Sequence, residues 1–245
     1  ALRAAGAVIM GKLVTAEFAT YRPGPTANPL NPGHTPGGSS SGSAAAVADF
    51  HVPLALGTQT AGSVIRPASF CGIHGFKPTF GRYSNDGVLA TAHRLDTLGS
   101  FARTVEDLLL LDAALGDAAD PPAPAPVVGL YRSEAWEEAG PAMQGALEET
   151  AARLRAAGYE VIDIAAAEPF VKLAEAQAII HKREAFLCLG DMRRERADKV
   201  SQIFRDFIDE GERISADTYT WACGVQDACK ADEALLLGKA DVLLT

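Results

Sequence analysis

The chain has 245 residues, 48% of them hydrophobic, and a formal net charge of −9. That is enough apolar material for a sizeable core, and the acidic balance without a basic cluster excludes a nucleic-acid-binding function. No apolar run approaches the roughly 18–20 residues that a membrane helix needs, so no membrane partner is expected either.

The N-terminal stretch Ala1 to Ala5 reads as the tail of a helix, with Gly6 as its left-handed stop. Val8-Ile9-Met10 reads as a short buried strand, followed by Gly11-Lys12 and then a loop with a helical turn over 13–19. Residues 21–38 hold five prolines and four glycines, which predicts irregular surface structure long enough to carry function. Ser43 to Asp49 has high helix propensity and only small side chains, so it predicts a closely packed, buried helix. A short strand is expected at Pro53 to Gly57, a tight turn and then a strand within 68–80, and a helix at Thr104 to Leu115 whose Thr-x-x-Asp start resembles a capping box.

Asp120 to Pro126 is the clearest break, stiff and extended, readable as a domain linker or as a surface loop. Beyond it, Val127 to Tyr131, Pro141 to Ala157 and Tyr159 to Ile164 predict a strand-helix-strand unit with its two strands parallel. Residues 168–240 read as helical throughout, with breaks near Gly190, Gly211 and Gly224 and a solvated basic face at Arg193, Arg194, Arg196 and Lys199. The chain opens in a helix tail and stops in the apparent strand Asp241 to Thr245, so it reads as an internal fragment. Four cysteines, Cys71, Cys188, Cys223 and Cys229, fit no zinc spacing and read as thiols of a reducing cytoplasm.

Two serine-bearing loops stand at the ends of one helix-strand unit. The first, Gly37-Gly38-Ser39-Ser40-Ser41-Gly42-Ser43, opens a helix, as an anion cradle does, but no Gly-Lys-[Ser/Thr] follows, so it is not a nucleotide loop. The second, Thr60-Ala61-Gly62-Ser63, leaves a buried strand and precedes Arg66-Pro67. A turn of such small residues can aim several backbone N–H groups at one point, which an oxyanion hole requires, with a serine beside it to attack a carbonyl. It does not match the Gly-x-Ser-x-Gly elbow. A serine nucleophile needs a base. None of His34, His51, His74, His93 and His181 sits in a motif that fixes a role.

These residues resemble the amidase signature family. The likeness runs from Pro36 to Ser43, through Leu54-Ala55-Leu56-Gly57-Thr58-Gln59-Thr60-Ala61-Gly62-Ser63 and Arg66-Pro67-Ala68, to Cys71-Gly72 and Gly75-Phe76-Lys77-Pro78-Thr79. It continues with Gly81-Arg82, Leu95 to Gly99 and Arg103 to Asp107, and Ala5 to Lys12 also matches. The strong part covers about residues 1–115. The resemblance implies a single α/β domain over 1–245, with a mixed central β-sheet and helices on both faces, and a Ser-Ser-Lys triad. Ser63 matches the nucleophile, and Ser39 matches the bridging serine, whose preceding peptide bond is cis. The backbone of Thr60, Ala61, Gly62 and Ser63 matches the oxyanion hole.

The family's lysine lies upstream, in a Val-Lys-Asp-like segment. Lys12 matches a later Gly-Lys pair, so the chain as written is expected to lack the lysine and to be inactive without it. No metal or cofactor is implied. Many members have Asp at Gln59 and Gly at Ala61. The order Ser63-Val64-Ile65-Arg66-Pro67 resembles malonamidase-like members, whose matching arginine binds a substrate carboxylate; pairing of Arg66 with a carboxylate of the protein is the other reading.

The activity implied is hydrolysis of a small linear amide to a carboxylate and ammonia or an amine through a serine acyl-enzyme. An amidase subunit of a glutamine-dependent amidotransferase and a non-catalytic homologue or binding module are the alternatives. Homodimers are common in the family, and nothing in the residues decides on one.

Overall fold

The computed structural model describes residues 1–116, 125–133, 135–165, 168 and 170–245. The proline-rich break falls largely on residues 120–124, outside the described residues. Two compact units emerge, one of Ala1–Ala118 with Ile179–Ser215, the other of Ala119–Ala178 with Ala216–Thr245. Both strand orientations of the expected α/β class are present, divided between two three-stranded sheets.

In the first unit, strands β1 (Leu54–Gln59), β2 (His74–Phe76) and β3 (Thr97–Ala102) form an antiparallel sheet in the order β1-β3-β2. β3 takes the centre, with Gly57 opposite Gly99 and Phe76 opposite Ser100. Helix α1 (Ser41–Ala48) buries every residue from Ser41 to Val47. Its alanines leave no bulk to hold it away, so Ala44 and Val47 pack into one cluster with Ala55, Val64, Ala68, Cys71 and Phe101. Helix α2 (Ile65–Phe70) follows β1. Helix α3 (Val105–Leu115) starts where the sequence places it, with the Thr104 hydroxyl accepting from the Asp107 N–H at 3.1 Å.

In the second unit, β4 (Val128–Tyr131), helix α4 (Pro141–Ala156) and β5 (Val161–Ile164) form the expected strand-helix-strand unit, and β4 and β5 are parallel. β6 (Val242–Leu244) pairs with the other edge of β4, also in parallel.

Three helices follow: α5 (Leu173–Glu195), α6 (Gln202–Arg213) and α7 (Ala216–Ala231), then the short α8 (Ala234–Leu237). Gly190 and Gly224 lie well inside helices and no break falls at them, whereas a helix end does fall near Gly211, at Arg213; Gly211 itself stays helical, for a reason of packing. A Cβ there would stand 2.0 Å from the Lys182 carbonyl oxygen and 2.7 Å from its carbon, so this glycine lets α6 lie against α5. A backbone carbonyl cannot step aside as a side chain can. Gly211→Ala is therefore expected to cost about 1–3 kcal/mol, read as a lower urea midpoint in equilibrium unfolding. The same face of α6 buries Phe204, Phe207 and Ile208, at helical spacing, against Ala185, Leu189 and Val200.

The basic face is only partly a solvated one. Arg193 makes a two-pronged pair across to Asp209 at 2.7 and 2.8 Å, which holds the Asp209 carboxyl below its ordinary value.

Val8-Ile9-Met10 is not a strand. The three side chains are 81%, 50% and 75% exposed, and among the described residues no strand pairs with them. Apolar character makes a segment strand-like, but a strand forms only where a neighbour takes its backbone hydrogen bonds. All four cysteines are free thiols. Among the described residues no helix is long and apolar enough to cross a membrane.

Candidate active site

The first serine loop is fastened on several sides. Gly37 has φ +76°, a left-handed backbone that favours glycine, and its missing Cβ would meet the Pro67 Cα at 2.9 Å. This glycine thus brings the loop down onto α2. The Gly38–Ser39 peptide bond is cis. One residue on, the Ser40 N–H donates to the Ser63 carbonyl at 3.3 Å, which links the first loop to the second.

The serines of this loop differ in what their hydroxyls do. Ser40 Oγ donates to the Thr58 carbonyl and accepts from the Thr58 N–H, both at 3.2 Å. Ser41 Oγ donates to the Val14 carbonyl at 3.4 Å, and Ser43 Oγ to the Leu56 carbonyl at 2.7 Å. Those three are bound to the backbone. Ser39 Oγ is buried and has no hydrogen-bond partner among the described residues, an arrangement that costs stability unless some group engages it.

The second loop is pinned at both ends by side-chain oxygens. Gln59, the last residue of β1, accepts from the Val64 N–H at 2.8 Å and the Ile65 N–H at 3.0 Å. Its amide oxygen thereby holds the chain just after Ser63 to the strand just before it. At the other end, Thr60 Oγ1 donates to Asp96 Oδ1 at 2.6 Å. The second Asp96 oxygen accepts from the Thr91 and Ala92 N–H groups at 2.7 and 2.9 Å. One buried carboxylate thus anchors the turn to the segment that leads into β3.

Both loops open on one cavity of about 590 Å³. Ser39, Ser63, Thr60, Ala61 and Arg66 are all on its wall, and Gly62 is not. The Arg66 guanidinium instead covers Gly62, 3.0 Å from where a Cβ would be. Among the described residues no carboxylate pairs with Arg66, which is exposed. Ala16, Ala19, Thr20 and Tyr21 add a further part of the wall, and the residues between them are braced from α6 and its start. Here Glu17 accepts from the Ser201 N–H at 3.0 Å and also from its hydroxyl, and Phe18 stacks on Phe204 with ring centroids 5.0 Å apart.

One further wall residue is His181 of α5. It is 7% exposed, its Nε2 has no partner among the described residues, and its ring meets Phe207 edge-on at 5.0 Å. Burial pushes its pKa below the ordinary histidine value, against a smaller upward pull from the Asp96 charge. Among the described residues the ionisable side chains on this wall are Arg66, His181 and Tyr21.

Sequence reasoning did not single out Gln59, Asp96 or His181 as site residues. Gln59 and Asp96 carried a signal: each is an acceptor beside a small-residue turn, and such turns expose backbone N–H groups that need one. His181 carried none, because it lies on a helix far along the chain from either loop.

Two hydroxyls, a fixed turn rich in backbone N–H groups and an unpaired guanidinium around one cavity form an arrangement suited to acyl transfer. The profile of the Amidase family matches residues 1–245. A glutamyl-tRNA(Gln) amidotransferase subunit from Thermus thermophilus is 41% identical over 186 residues, which is 66% of this chain and 39% of that protein. The 2-amino-5-chloromuconic acid deaminase of Comamonas testosteroni is 34% identical over 258 residues, 97% of this chain and 55% of that one. A crystal structure of an amidase superposes with a TM-score of 0.91 at 29% identity, covering 99% of this chain and 57% of the other. The chain spans about half the length of the curated relatives it matches.

Proposed function

The chain belongs to the amidase family, and from that premise we propose that its two serine loops are the nucleophilic half of an amidohydrolase site. Ser63 Oγ attacks the carbonyl carbon of a small linear amide. Ser39 takes up the proton that Ser63 loses and passes it on. The backbone N–H groups of Thr60, Ala61, Gly62 and Ser63 receive the oxyanion of the tetrahedral intermediate. The C–N bond breaks as the nitrogen gains the relayed proton, and ammonia or an amine departs. Water then hydrolyses the Ser63 ester and frees the carboxylate product. In the family that the sequence resembles, a lysine ends this relay. Lys12 precedes the first loop but is not on the cavity wall, so the share of the relay assigned here is Ser39 and Ser63.

The observation that carries this reading is the buried, unpartnered hydroxyl of Ser39 on the same wall as Ser63. A fluorophosphonate probe, applied to a protein that also supplies the family's lysine, tests it. Covalent labelling that peptide mass spectrometry locates at Ser63 supports the assignment, and labelling elsewhere or nowhere refutes it.

Arg66 sets the proposed substrate class. An unpaired guanidinium on the wall favours amides that carry a carboxylate, as in malonamate. A hydrogen bond to a charged group is worth about 1.5–3 kcal/mol. With the lysine supplied, Arg66→Ala is therefore expected to raise KM for malonamate by roughly 10- to 100-fold while changing KM for neutral amides less than about threefold, followed by ammonia release. Equal losses on both would remove the carboxylate anchor.

A second reading, an amidase subunit working for an amidotransferase, is supported by relatives of that name. Faster ammonia release from glutamine than from malonamate would favour it.

A further inference from the structure

We propose that His181 is a specificity-determining residue of this cavity, its imidazole hydrogen-bonding a polar group of the bound amide. This rests on the reading of the cavity as an amidase site. Three observations meet at this side chain. It is on the wall that Ser39, Ser63 and Arg66 share. It is more than nine-tenths buried, in contact with Phe207. Its Nε2 is shut away with no hydrogen-bond partner among the described residues.

A buried ring used only for packing is better served by phenylalanine, which leaves no polar nitrogen without a partner. Burial keeps the ring neutral near pH 7, so it offers one donor and one acceptor without a charge. Arg66 supplies the charge-selective contact at the same wall. His181 complements it with a contact selective for hydrogen-bonding capacity. The cavity then favours amides that carry a further polar group over purely alkyl amides of the same size.

The experiment uses His181→Phe, which keeps the aromatic contact with Phe207, and His181→Gln, which restores hydrogen-bonding capacity. Titration calorimetry on the Ser63→Ala background measures the affinity for malonamate, with butyramide as the alkyl comparison. In parallel, fluorophosphonate labelling of Ser63 is followed in proteins that retain the serine. The expected result is at least tenfold weaker malonamate binding in His181→Phe, recovery to within about threefold in His181→Gln, and little change for butyramide. Unchanged malonamate affinity in His181→Phe, or equal weakening for both amides, overturns the proposal. Failure of Ser63 to label in a wild-type protein that carries the lysine refutes the amidase reading instead, so the two failures are distinct.

Discussion

In a protein that also supplies the lysine, Ser63→Ala is expected to abolish acyl-enzyme formation and to lower amide turnover by roughly 10⁴-fold or more, since removal of a nucleophile disables the whole relay. Ser63 is 7% exposed, and the substitution deletes one oxygen without adding volume. Its fold should survive: Gln59 still accepts from the Val64 and Ile65 N–H groups, and the Ser40 N–H still reaches the carbonyl of residue 63. The change in unfolding free energy should stay within about 1 kcal/mol. Single-turnover trapping of the acyl-enzyme by mass spectrometry, next to a urea titration, checks both parts. Turnover kept within tenfold of wild type would remove Ser63 from the nucleophile's place.

Asp96→Ala is expected to be the most destabilising of the changes considered. It strips partners from the Thr91 and Ala92 N–H groups and from the Thr60 hydroxyl in one step. Each N–H left without a partner costs about 1–3 kcal/mol, and the lost Thr60 bond shares the same site, so a total of about 3–5 kcal/mol is expected. Asp96→Asn offers a graded comparison. Its amide oxygen can still accept from the two N–H groups while its NH₂ donates to Thr60 Oγ1, so about 1–2 kcal/mol is expected. The urea midpoints should fall in the order wild type, Asn, Ala. Where the Ala variant folds, labelling at Ser63 should slow, because the turn has lost its hold at Thr60. A midpoint for Asp96→Ala within error of the wild type would sink the anchoring role.

Much of the fold was legible because local chemistry and tertiary packing agree in the first 115 or so residues. The small residues of Ser43 to Asp49 made a buried helix readable, and Ser43 to Val47 are buried. Thr104 with Asp107 gave away a helix start through one side-chain oxygen. The failures share one cause, which is that a residue's environment belongs to its neighbours in space. Gly211 looked like a helix breaker because propensity counts backbone entropy and knows nothing of the Lys182 carbonyl lying across from it. Val8-Ile9-Met10 looked like a strand because pairing is not written in the segment itself.

At the candidate site, both loops and Arg66 stood in recognisable runs of residues. What keeps the loops in shape was less visible. The departure at Gln59 from the Asp of many family members loses its force once the contact is known, because either side chain can present an oxygen to the Val64 and Ile65 N–H groups. His181 could not be placed at all without coordinates, as nothing in a helix sequence says which cavity one of its faces will meet.

The first unit is built from two stretches of chain with about 60 residues of the second unit between them. That order has a consequence for biosynthesis. Both serine loops leave the ribosome early, while Ser201, which holds Glu17, and Phe204, which stacks on Phe18, are made about 140 residues after Ser63. At about 5–20 residues per second the interval is on the order of ten seconds. For that time the nascent chain carries its serines beside a wall held by the Ala16 N–H to the Ser39 carbonyl but not yet by Ser201 or Phe204. The last supports of the cavity are thus a late product of translation, and a chain interrupted before residue 200 would hold both hydroxyls and the lining residues without the two contacts that brace Glu17 and Phe18.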